Sequence, residues 1–66
     1  MSGTGVEIWR LEFAHQSSTS AWVEEYRTAG ANFDEAYETA KARARADNPY
    51  GNSRMVGAEL LAETNA

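Results

Sequence analysis

Apolar and polar residues run through this chain in two different rhythms, and only one segment departs from the shorter one. From Val6 to His15 (VEIWRLEFAH), Trp9, Leu11 and Phe13 alternate with Arg10, Glu12 and Ala14, the period-2 signature of a half-buried strand. Val6 and Ile8 lie on the other parity, so either a bulge shifts the register or Ile8 sits on the second face of a sheet. The polar stretch Gln16-Ser17-Ser18-Thr19-Ser20 contains no glycine, which predicts a longer hairpin loop rather than a tight two-residue turn. A second run follows in AWVEEYRTA, with Ala21, Val23 and Ala29 on one parity and Trp22, Tyr26 and Thr28 on the other. The favoured assignment turns Val23 toward the core and leaves Trp22 and Tyr26 on the open face. A third run, from Arg54 to about Glu63, carries Val56, Ala58 and Leu60 on one face and Met55, Glu59 and Leu61 on the other.

The longer rhythm belongs to Asn32–Asp47 (NFDEAYETAKARARAD). Asn32 is a good N-cap, and Glu35 three residues on completes the pattern of a capping box. Asp34, Glu35 and Glu38 near the start, with Lys41, Arg43 and Arg45 near the end, match the helix macrodipole. Ala36, Ala40 and Ala44 form one stripe with Phe33 and Tyr37, narrow enough for the helix to lie close on a sheet. Pro49 forbids continuation and pushes Asn48 toward an extended conformation. The order is therefore ββαβ, an α+β fold. A right-handed crossover from the second strand to the third predicts an antiparallel three-stranded sheet of order 2-1-3 with one helix on one face. Leu11, Phe13, Ala36, Ala40, Val56 and Leu60 are the expected core. The expected organisation is a tail over residues 1–5, one domain over 6–63, and a short tail over 64–66.

A chain of 66 residues is near the lower size limit for folding without a staple. It has no cysteine, hence no disulfide framework or thiolate metal site, which suits a reducing cytoplasm. No signal-peptide pattern and no span of roughly 20 apolar residues occurs, so no membrane partner is expected. Net charge is −4, and the strand-like segments hold Glu7, Glu12, Glu24, Glu25, Glu59 and Glu63 against Arg10, Arg27 and Arg54. Direct nucleic-acid binding is disfavoured, because it requires clustered Lys and Arg. A basic protein surface is a suitable partner.

Candidate chemistry is sparse. His15 is the single histidine, at a strand end beside the serine-rich loop; a serine–histidine pair alone lacks an orienter and oxyanion donors. Adjacent Glu24 and Glu25 point to opposite faces of a strand and cannot share a substrate. Gly3 and Gly5 have no strand before them and no helix after, so they form no phosphate loop. One histidine among scattered carboxylates gives no metal-ligand spacing. The alternating Lys41, Arg43 and Arg45 turn by roughly 200° at each step of two and make no single stripe. The sequence thus predicts no catalytic residue, no metal and no cofactor. Trp22 and Tyr26 among Glu7, Glu12, Glu24, Glu25, Glu59 and Glu63 are the expected partner-binding residues, aromatic anchors within an acidic rim. The same face equally suits a homodimer.

As architecture, Val6 to Glu63 resembles small acidic phage-encoded anti-CRISPR proteins that act on type I surveillance complexes. The segments that carry the resemblance are VEIWRLEFAH, AWVEEYRTA, the capped helix NFDEAYETAKARARAD with its NPYG stop, and RMVGAELLAE. It rests on architecture and not on a motif, so no functional residue carries over. The resemblance implies a non-enzymatic inhibitor in the cytoplasm of a bacterial host. Its acidic surface would occupy a basic DNA-binding surface of a crRNA-guided complex, as a DNA mimic or a steric block. A small homodimerising regulatory or structural module is the alternative.

Overall fold

The computed structural model describes residues 5–64. Strands β1 (Val6–Gln16) and β2 (Ala21–Gly30) form a hairpin, helix α1 (Phe33–Asp47) crosses over, and β3 (Asn52–Thr64) returns along the other side of β1. The sheet order is β2-β1-β3 with both pairings antiparallel, as the sequence predicts. The hairpin loop is closed locally: Ser17 N–H donates to Ser20 O, and Ser17 Oγ accepts from the amides of Thr19 and Ser20. β3 runs to Thr64, which pairs with Val6, so Thr64 belongs to the domain and not to a tail. The remainder of the two expected tails, 1–4 and 65–66, lies outside the described residues.

Helix α1 begins as its sequence demands. Asn32 is extended (φ −155°) and its Oδ1 accepts from Glu35 N–H at 3.0 Å. The reciprocal arm reaches one residue further back, from Ala31 N–H to Glu35 Oε1 at 2.8 Å. Ala36, Ala40 and Ala44 are completely buried, so the helix backbone approaches the sheet without intervening bulk. Gly30 completes this contact, since a Cβ there would lie 2.6 Å from Glu35 Cβ.

β1 turns its odd residues to the helix, where Leu11 and Phe13 form the centre of the core with Tyr26, Ala40 and Ala44. Around them pack Trp9, Phe33, Tyr37 and Met55. Trp9 meets Phe33 edge-on at 4.9 Å, while Phe33 and Tyr37 stack at 5.9 Å. Ile8 keeps the even parity of the second face, so β1 itself needs no bulge. The irregularities fall in β3, which skips Leu61 between Ala62 and Leu60 and Val56 between Gly57 and Met55.

Two facial assignments differ from the sequence reading. Because Gln16 pairs with Ala21 across a four-residue loop, every pair in the hairpin joins an odd position to an even one. Tyr26 and Trp22 therefore share the helix side with Leu11 and His15, and Val23 faces away at 61% exposure. In β3, the bulge at Val56 brings Met55 opposite Phe13. Val56 and Leu60, expected in the core, are 48% and 40% exposed.

Candidate functional site

The candidate residues fall on both faces of the sheet and at the end where the helix begins. The uncovered face presents the even residues of β1 with Ala21, Val23, Glu25, Arg27 and Ala29 of β2, and with Arg54, Gly57, Glu59 and Ala62 of β3. At its centre Arg10 Nε donates to Glu59 Oε1 at 2.9 Å, and Arg10 Nη1 lies 3.4 Å from Glu12 Oε2 and 3.6 Å from Glu25 Oε1. The hydrogen bond to Glu59 leads the three carboxylates in raising the pKa of the Arg10 guanidinium above its already high value. Arg27 closes the group on Glu25 at 2.9 Å. Three arginines thus balance three glutamates on this face, and its surroundings are apolar: Val6 and Ile8 towards one end, Val23 towards the other.

The acidic excess sits on the opposite side. Glu7 pairs with Glu63 and with Gly30, and Gly30 lies directly under Glu35. Glu7, Glu63, Asp34 and Glu35 therefore gather at the end of the molecule where α1 starts. Glu7 also accepts from Trp9 Nε1 at 2.9 Å. Glu24, on the same side but nearer the hairpin loop, accepts from Trp22 Nε1 at 3.2 Å.

The expected partner-binding residues are thus not one surface. Glu12, Glu25 and Glu59 surround Arg10 on the uncovered face, while Glu7, Glu24, Glu63 and Trp22 lie on the helix side. Tyr26 is removed as an anchor, for it is buried at 7% exposure with its ring 5.7 Å from that of Phe13. Trp22 is 37% exposed and stacks on the His15 ring at 4.9 Å. The most exposed aromatic is Tyr50, at the tip of the turn after α1; its place in the Asn-Pro-Tyr-Gly stop was the available signal.

A polar chain centred on the buried His15 and Tyr26 was not legible at all. Tyr26 O–H donates to Asp47 Oδ2 at 2.6 Å, and His15 Nε2 stands 2.9 Å from the Tyr26 oxygen. With the phenol proton spent on Asp47, Nε2 donates to the Tyr26 oxygen, and Nδ1 lies 2.7 Å from Ser53 Oγ. The chain Ser53–His15–Tyr26–Asp47 joins β3, β1, β2 and α1. Burial, followed by the bond to Asp47, pushes the Tyr26 phenol well above its ordinary pKa of 10.0. Both ring nitrogens of His15 are occupied and the side chain is almost wholly buried, an arrangement that fastens elements together.

A hollow of about 420 Å³ opens at the hairpin end, lined by residues 14–16, 21–23 and 52–54. Among the described residues, no three His, Asp or Glu side chains converge closely enough to hold a metal ion. No helix there is long and apolar enough to cross a membrane. Comparison with protein-family models, with curated proteins and with solved structures finds no match to this chain.

Proposed function

We propose that this is a non-enzymatic inhibitor that binds a basic, nucleic-acid-binding protein surface through its acidic helix side. The observation that carries the reading is the segregation of charge. The uncovered face is balanced, whereas Glu7 and Glu63 stand beside Asp34 and Glu35 at one end. A concentrated acidic end raises encounter rates with a basic surface and disfavours other partners. The architectural resemblance to anti-CRISPR proteins makes a DNA-binding subunit of a type I surveillance complex the first partner to test, in the cytoplasm of a bacterial host.

The test uses a purified type I surveillance complex and labelled target DNA. Added protein is expected to reduce DNA binding, by mimicry or by steric block. Glu63→Lys separates this role from folding. Glu7 and Glu63 are directly opposed like charges, so the substitution should stabilise the fold by about 0.2–1 kcal/mol. The same variant should inhibit less. Undiminished DNA binding at saturating protein, or full inhibition by the more stable Glu63→Lys variant, would refute the proposal.

A further inference from the structure

The uncovered sheet face is a separate surface, and its balanced charge is ill suited to a basic partner. We infer that its occupant is a second copy of this chain, packed face to face about a two-fold axis running along β1. The pairing register supports this. At the level of Arg10 the flanking residues are Arg27 on β2 and Glu59 on β3; at the level of Ile8 they are Ala29 and Ala62. A two-fold axis along β1 lays β2 of one copy over β3 of the other. Arg27 then meets the partner's Glu59 twice, by symmetry, and Ala29 meets the partner's Ala62. Ile8 lies near the axis and meets its own counterpart. Arg10 and Glu12 also lie near it and meet their own counterparts; within each chain the two are already paired at 3.4 Å, and Glu25 and Glu59 complete the ring around Arg10.

Size permits this arrangement. The molecule is 50 Å long and three strands about 4.8 Å apart make the bare face roughly 14 Å wide, so it offers at most roughly 700 Å² per copy, somewhat below the about 800 Å² per partner of a standard interface. Face-to-face sheets pack about 10 Å apart with their strands within about 30° of parallel, a spacing that short Ala29 and Ala62 side chains permit.

Sedimentation equilibrium over a wide concentration range tests the inference. The apparent mass should rise from 7.3 kDa towards twice that value. Ile8→Glu, at a half-exposed position that a monomer tolerates, should weaken the dimer by about tenfold or more while circular dichroism and melting stay those of the parent. Arg27→Glu should also weaken it, and adding Glu59→Arg should restore it. A wild-type chain that remains monomeric at millimolar concentration overturns the inference. So does a dimer indifferent to Ile8→Glu, which would place the contact on an edge strand or on the helix side. Neither outcome bears on the acidic-end proposal, which concerns residues on the other side of the sheet.

Discussion

Phe13 touches two aromatic rings at once, edge-on to Tyr26 at 5.7 Å and stacked with Tyr37 at 6.2 Å, and among the described residues only Leu11 is a large apolar side chain buried as completely. Phe13→Ala should cost about 3–5 kcal/mol, close to the entire stability of so small a domain; urea unfolding checks it. Tyr26→Phe is a finer probe. It keeps the ring but leaves the His15 Nε2 proton and the Asp47 carboxylate without their partner, at an expected cost of about 1–3 kcal/mol. The sign of the pH effect follows from the raised phenol pKa. The folded state holds the Tyr26 proton more tightly than the unfolded chain does. Its contribution is complete below about pH 10, the ordinary tyrosine value, and is lost as pH rises above it. Alkaline melting curves of parent and Tyr26→Phe should therefore converge as pH rises, and parallel curves would contradict this.

At the scale of the element, the close seat of α1 on the sheet depends on what is missing from Gly30. Gly30→Ala would place a methyl group 2.9 Å from the Ala36 amide nitrogen as well as against Glu35, and should destabilise by about 1–3 kcal/mol through overpacking, visible as a lowered melting temperature. The helix, its cap and its alanine stripe were legible because local chemistry fixes them: Asn32 caps, Pro49 stops, and a 3.6-residue period aligns Ala36, Ala40 and Ala44. The strands were legible as strands, and their order followed from the single crossover. Which face each side chain takes was not. In β2, Trp22 and Tyr26 compete with Val23 for the core, and hydrophobicity alone cannot rank them; the four-residue loop decides by setting the register. In β3, two skipped residues shift the parity at Val56 and Leu61; Gly57, next to Val56, was the available sign of the first bulge, and no glycine or proline marks the second. The hydrogen-bonded chain from Ser53 to Asp47 spans 39 positions in sequence and leaves no local trace.

For the whole molecule, extension is the dominant property. Its radius of gyration is 13.5 Å, against about 11 Å for a compact chain of this length. A long sheet with a shorter helix on one side buries few large side chains and keeps an unusual share of its residues at a surface. Charge is distributed accordingly, balanced where the sheet is bare and acidic where the helix starts. If the acidic end engages a basic partner, association should slow as salt rises, because screening shortens from about 10 Å at 0.1 M to about 3 Å at 1 M. Dissociation should change less, since rim charges act chiefly on encounter. Association rates measured across a salt series check this, and a salt-independent rate would point to apolar contacts instead.

The two skipped residues of β3 also govern solubility. A long, regular edge strand is a template onto which other chains add through their backbones. Val56 and Leu61 interrupt that template at two places, and on the other edge β2 relies on the charges of Glu24, Glu25 and Arg27. Deleting Val56 would leave Gly57 opposite Glu12 and Met55 opposite Phe13, so every side chain would keep its face and the domain should still fold. The price would be a straighter edge: the shortened protein should form aggregates that bind amyloid dyes under conditions where the parent stays clear.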